Sequence, residues 1–282
     1  MSADVATVVT DRIIAALENG TVPWSRPWSR VQGYGPTSLS SGKEYRGVNN
    51  LILECESMVK GYGSPFWATF NQAKAHGGAV RKGEKATPIV LWKPVDKKPE
   101  KEGDDPGKYL LMLYFNVFNA EQCDGIEVPE IEVLPDIDPI EAAERIANGM
   151  PARPQVRNGG DRAYYSPTLD YVQMPPGGAF ASADDYYLVL LHELAHSTGH
   201  SSRLNRDGIE TASPFGSETY AKEELVAEIA SAILAGSSGI APNIERSAAY
   251  CKSWLSWASD NRKALVSAAS QAQKAADYVL GV

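Results

Sequence analysis

Three of the chain's four histidines, His192, His196 and His200, lie close together in the segment LVLLHELAHSTGHSSRL, residues 188–204. His192-Glu193-Leu194-Ala195-His196 matches the pattern HExxH. On a helix, residues i and i+4 stand one turn apart on one face, so both imidazoles can reach a single ion. Glu193 projects beside them, where a carboxylate can take a proton from a metal-bound water. The competing reading is a pair of satisfied polar residues on a core helix. A chain with only four histidines seldom gathers them at this spacing by chance, so the metal reading leads, with zinc or another divalent ion expected.

A catalytic zinc usually takes three protein ligands and a water. The long pattern HExxHxxGxxH has its glycine here, Gly199, but Ser202 stands where its third histidine must be, and His200 falls two residues early. The better completion is in SETYAKEELVAEIASAILAG. Glu224 and Glu228 are i and i+4 on a segment that otherwise turns apolar residues inward, and a carboxylate so placed needs a cation or a donor. This predicts Glu224 as third ligand, Glu228 orienting a ligand histidine, and Tyr220 one turn earlier as a donor near the reacting oxygen. Glu223 is the rival third ligand, and solvent-facing acids are the alternative to both. The set points to metal-assisted hydrolysis, with Glu193 as the proton acceptor.

Elements must bring these residues together. Ser182 followed by two aspartates opens a helix running to about residue 199. Further helices are predicted over 218–235, stopped by Gly236, over 242–258, and over 261–279, begun by Asp260. A short helix over 139–148 and two strand candidates, RAYYS and DYVQMP, precede the histidines, and DYVQMP is read as an edge able to pair with an extended peptide. In the first half, residues 4–19 carry an apolar stripe (Val5, Val9, Ile13, Leu17) ended by Gly20. Residues 50–60 and 69–76 read as helices, and ATPIVLWK and YLLMLYFNVF as paired strands around a charged loop. DGIEVPEIEVLPDIDPI, acidic and punctuated by Pro129, Pro135 and Pro139, is the candidate linker. The expectation is an α+β chain of two domains, 1–125 and 141–282, joined by residues 126–140. The first is a small α/β unit and the second mainly helical with a small sheet.

Charge divides along the same line. The net charge is −8, yet residues 21–93 carry 10 basic against 4 acidic side chains. In that stretch aromatic rings (Trp24, Trp28, Tyr34, Tyr45, Trp67, Phe70) interleave with cations. Unpaired bases stack on rings and the phosphate backbone seeks cations, so single-stranded nucleic acid is the indicated partner. The candidate contacts are Trp24, Arg26, Trp28, Arg30, Lys43, Tyr45, Arg46, Arg81, Lys82 and Lys85, against the alternative of a merely solvated basic surface. No run of apolar residues is long enough to span a bilayer. No basic residue precedes the N-terminal apolar stripe, as one would in a signal peptide, and Asp4 stands there instead. Three scattered cysteines suggest free thiols. The expectation is a cytoplasmic protein with no membrane partner.

VVTDRIIAALENGTVPWSRPWS, SGKEYRGVNNLIL, FWATFNQAKAHGGAVRKGEKATPIVLWK and YFNVFNAEQCDGI together resemble the N-terminal domain of ArdC-type antirestriction proteins. YVQMPPGGAFASADDYYLVLLHELAHSTGHSSRLNR with FGSETYAKEELVAEIASAIL resembles the metallopeptidase-like domain that follows it in that family. The resemblance implies a single-stranded-DNA-binding module followed by a zincin-like domain. It also implies protection of incoming plasmid DNA from the recipient's restriction enzymes, which, with other DNA-bound proteins, become possible partners. The family's metal ligands fall on His192, His196 and the glutamate of EELVAE, taken as Glu224, and its catalytic glutamate on Glu193.

Overall fold

The structure, a computed structural model, describes residues 5–18, 35–96, 108–130, 138–207, 209, 217–240 and 262–282. Trp24, Arg26, Trp28, Arg30, Tyr34, the loop expected after Asp96, residues 131–137 of the linker, Cys251 and the helix predicted over 242–258 lie outside them.

The first half opens with α1 (Val5–Glu18), followed by β1 (Thr37–Ser38), α2 (Val48–Lys60), β2 (Phe66–Ala68) and α3 (Phe70–Ala75). Then come β3 (Ala79–Val80), β4 (Thr87–Asp96), β5 (Lys108–Asn119) and β6 (Cys123–Asp124). The paired strands expected from sequence are β4 and β5, an antiparallel ladder in register from Thr87 opposite Val117 to Asp96 opposite Lys108. They continue a sheet of order β1-β2-β5-β4, while β3 pairs separately with β6. An edge strand invites unwanted pairing. At β4 the amide of Asn49, on α2, occupies the open edge: it donates to the Val90 carbonyl and accepts from the Val90 N–H, each at 2.7 Å.

The second half holds α4 (Pro139–Gly149), β7 (Gln155–Asn158), β8 (Tyr164–Ser166), β9 (Tyr171–Met174), α5 (Ala183–Ser197), α6 (Glu218–Ser238) and α7 (Arg262–Leu280). Strand β7 was not anticipated, because QVRN shows little apolar alternation and stays mostly exposed. Its presence corrects one expectation. The sheet order is β7-β9-β8, so DYVQMP supplies the central strand and has no free edge. A second correction concerns α6, which runs through Gly236 and ends at Gly239. That glycine is in the left-handed conformation (φ 85°) and donates its N–H to the Ala235 carbonyl.

Helices α5 and α6 pack on each other and on α7. Five of the six alanines of α7 (Ala268, Ala269, Ala272, Ala275 and Ala276) are fully buried, and side chains this small let the helix axes approach closely. Because α7 also packs on α1 and α2, Ile13, Leu53 and Trp67 of the first half share one core with Leu191, Leu225 and Ala272 of the second. Among the described residues, Cys55 and Cys123 are buried free thiols, and no helix is long and apolar enough to cross a membrane.

Candidate metal centre

Each helix that carries the site is fixed at its start. The Ser182 hydroxyl accepts the Asp185 N–H at 3.1 Å, and the Ser217 hydroxyl accepts the Tyr220 N–H at 3.2 Å. Asp184 and Asp185 complement the positive end of the α5 dipole. Leu190, Leu191, Leu194 and Ala195 of α5 bury one face, while Leu225, Val226 and Ile229 of α6 are buried beside them. The helix phases are thereby set, and the polar residues between the apolar positions have one direction left to point.

On the α5 side of this interface the Nε2 atoms of His192 and His196 lie 3.1 Å apart. Glu224 approaches both from α6, with carboxylate oxygens 3.7 Å from His192 Nε2 and 3.6 Å from His196 Nε2. One donor atom from each of the three lies within 4.8 Å of the others, so the trio could hold one divalent ion. The outward-facing nitrogens are also engaged. His192 Nδ1 is 3.4 Å from Glu228, and His196 Nδ1 is 3.3 Å from Glu223. Metal-binding histidines commonly direct their second nitrogen to a carboxylate, which fixes the ring and leaves the other nitrogen free as a donor. The residues present therefore fit a metal on the chemistry of their donor set.

Glu223 and Glu224 are neighbours on α6 with different roles. Glu223 faces the rear of His196 and is gripped by Arg206, whose Nε and Nη2 donate to it at 3.0 and 2.5 Å. Arg206 donates further to the Thr198 hydroxyl at 2.5 Å and the Ala195 carbonyl at 3.0 Å. Arg206 and Glu223 are both buried. Gly199 makes room for them: a Cβ there would meet Ile209 at 2.5 Å and the Arg206 guanidinium at 3.1 Å. This glycine serves close packing, and Ser202 stands three residues on where a third ligand histidine would be. His200 instead pairs with the Ser202 hydroxyl at 2.8 Å beyond the helix end.

The electrostatics follow from this crowding. Burial opposes a charged His192, but hydrogen bonds to Glu224 and Glu228 and the charges of Glu193 and Glu228 outweigh it and raise its pKa to about 10. Burial likewise opposes a charged Glu224. Hydrogen bonds and charges from the two histidines, joined by the Tyr220 hydroxyl, hold its pKa down at about 2. Tyr220 thus touches Glu224 directly. Glu223 is also lowered: burial is outweighed by its bonds to His196 and Arg206. Glu193 is buried one position from His192 and makes no hydrogen bond among the described residues.

The basic half gives a different picture. Lys43, Lys82 and Lys85 are exposed. Arg46 is ion-paired with Asp277 of α7. Arg81 bonds Glu84 at 3.0 Å and the Glu121 carbonyl at 2.5 Å. Tyr45 is half-buried against the core, and burial raises its hydroxyl's pKa. Trp67 is fully buried and Phe70 is largely exposed.

The residue that sequence reasoning missed is Arg206. Its signal was indirect: each of two adjacent inward acids needs a cation or a donor, and one ion's ligand set uses only one of them here.

A paired histidine motif on one helix, met by a glutamate from the next, defines a zincin-like architecture. Residues 141–271 match the family described as zincin-like metallopeptidase, and residues 3–119 match the N-terminal domain of anti-restriction factor ArdC. The crystal structure of metal-free antirestriction ArdC protein from plasmid R388 superposes with a TM-score of 0.78 at 39% identity, over 98% of this chain and 96% of that one. Its Mn(II)-bound form gives 0.77 at 39% identity, over 99% and 97%. The chain belongs to the ArdC family of antirestriction proteins. The protein y4eC of Sinorhizobium fredii is 37% identical over 98% of this chain and 91% of its own length. Two Escherichia coli proteins named DNA primase TraC are 41% and 39% identical, but the chain spans only 26% and 20% of their lengths.

Proposed function

We propose that this protein binds single-stranded DNA through its basic N-terminal half, works in the cytoplasm, and shields incoming conjugative plasmid DNA from host restriction. In this reading 1–125 is the DNA-binding domain and 141–282 the metallopeptidase-like domain, joined by 126–140. His192, His196 and Glu224 are the ligands of a divalent ion, with zinc the first choice. The observation that carries the reading is the convergence of this trio, backed by paired carboxylates, in a chain that resembles antirestriction ArdC along 98% of its length.

When bound, a divalent ion supplies Lewis acidity, lowering the pKa of a water and polarising a carbonyl. The chain's own residues do the rest. With an ion held by His192, His196 and Glu224, Glu193 would be the group that accepts a proton from water and returns it to the leaving group. Glu228 and Glu223 hold the two imidazoles in orientation, and Tyr220 holds Glu224. The intact Glu193 favours a second reading, in which the protein is an active metalloprotease acting on restriction enzymes or other DNA-bound proteins and DNA binding only localises it.

Mating into a restricting recipient separates the two. The protein carrying Glu193→Gln is expected to protect plasmid DNA as well as the native chain if shielding is the mechanism. Loss of protection with DNA binding and metal content retained moves the protease reading to first place. Gel-shift titration tests the DNA half: equal affinity for duplex and single strands without salt dependence removes it.

A further inference from the structure

Away from the histidines, a cavity of about 760 Å³ opens between the start of α2, the β4–β5 hairpin and α7. That volume falls in the range of small-ligand sites, about 300–1,000 Å³. Trp92 and Met112 stand side by side across the ladder and line it together with Val90. Trp92 is 49% exposed, so its indole remains open to a ligand instead of being spent on the core. Gln271 supplies an amide. The cations lining the cavity are Arg46, which keeps its ion pair with Asp277, and the exposed Lys274. Trp92 and Arg46 lie within the stretch matched to the ArdC N-terminal domain, whereas Lys274 falls beyond the metallopeptidase match. The cavity therefore belongs to the junction of the two halves.

We propose that this cavity takes an unpaired nucleobase of a single-stranded DNA, stacked on Trp92, with the adjoining phosphates beside Lys274 and Arg46. The inference rests on the single-strand-binding reading above and adds a place to it. A flat ring, a polarisable thioether and an amide suit the face and edge of a base, and the cations suit the backbone attached to it. A duplex cannot use such a site without extruding a base, so the cavity also supplies a physical reason for preferring unpaired DNA. The last helix then does more than close the core, because it also completes the grip on the strand.

The test uses the full chain and a labelled oligo(dT) in fluorescence anisotropy. Trp92→Ala is expected to weaken binding about tenfold, as loss of one stacking platform does, and Trp92→Phe to keep it within about threefold. Ser270→Phe, which fills the cavity without removing any of its binding groups, is expected to weaken binding as Trp92→Ala does, with an unchanged melting temperature. An oligo(dT) bearing one 5-iodouracil is expected to cross-link to Trp92 on irradiation. Native affinity in both Trp92→Ala and Ser270→Phe, or cross-links confined to other residues, overturns the proposal while leaving single-strand binding intact. Free thymidine monophosphate binding more tightly than the oligonucleotide also overturns it, because the site would then serve mononucleotides. If the native chain binds no single strand at all, the underlying reading fails first, and that result is distinct from the others.

Discussion

The α5–α6 interface and the basic N-terminal half are both rich in charge, yet they treat it in opposite ways. Between the helices the polar side chains other than Glu193 are matched in pairs: His192 with Glu228, His196 with Glu223, Glu223 with Arg206, Glu224 with Tyr220. In the basic half Lys43, Lys82 and Lys85 stand in solvent. Buried charge must be matched group by group, because an unmatched ion in a low-dielectric setting costs several kcal/mol. Surface charge is nearly free and acts at a distance through its sum. Substitutions should therefore be severe and specific in the first region, mild and additive in the second.

The largest effect is expected from His196→Ala. Losing one of three donors should abolish retention of a divalent ion through gel filtration, read by elemental analysis of the purified protein. Full retention would remove the histidine pair from the metal site. Arg206→Met comes next. It leaves Glu223 buried with only His196 beside it, and breaking one partner of a buried pair costs on the order of 3–5 kcal/mol. Urea unfolding should register that loss. A change below about 1 kcal/mol would mean that Glu223 takes up a proton or finds water at little cost.

Glu228→Gln probes the support behind the metal trio. Removal of a carboxylate behind a ligand histidine typically costs about 10–100-fold in metal affinity, which titration calorimetry can measure. The sign of the pH dependence is also fixed. His192, raised to about 10 in the ion-free protein, holds a proton that an incoming cation must displace. Metal affinity should therefore rise with pH up to about 10, with close to one proton released per ion at neutral pH. Glutamine at 228 withdraws one of the groups that raise His192, so the proton release should shrink together with the affinity.

The sequence exposed what has a period or a chemical motif. HExxH named His192, Glu193 and His196, and the i, i+4 spacing brought in Glu228, which stands beside His192 Nδ1. Glu223 and Glu224 could not be told apart along the chain, since adjacent residues on a helix differ by about 100° in direction and only the packing of α5 decides which one meets the imidazoles. Arg206 was out of sight for a related reason. It reaches Glu223 through a turn after α5 whose path depends on the bare Cα of Gly199, and no local pattern encodes that approach. Strand β7 lacks alternation because it is exposed, and its existence is visible only from the pairing it makes with β9. The long hairpin and the capped helices were legible because apolar runs and Ser or Asp caps are local signals.

The smallest expected effect completes the contrast. Lys82→Ala with Lys85→Ala removes two exposed cations from the turn between β3 and β4 and disturbs no ion pair among the described residues. Melting temperature and metal content should stay at the native level. Single-strand affinity should fall only a few-fold, and it should do so through its salt dependence: each phosphate deprived of its cation flattens the slope of log affinity against log salt by about 0.7. If both lysines touch the strand, the slope falls by about 1.4. If the slope is unchanged, the backbone runs elsewhere on the basic half. A drop in melting temperature would mean that these lysines, like Arg206, are matched to buried partners, and the division between a paired interior and a summed surface would no longer hold.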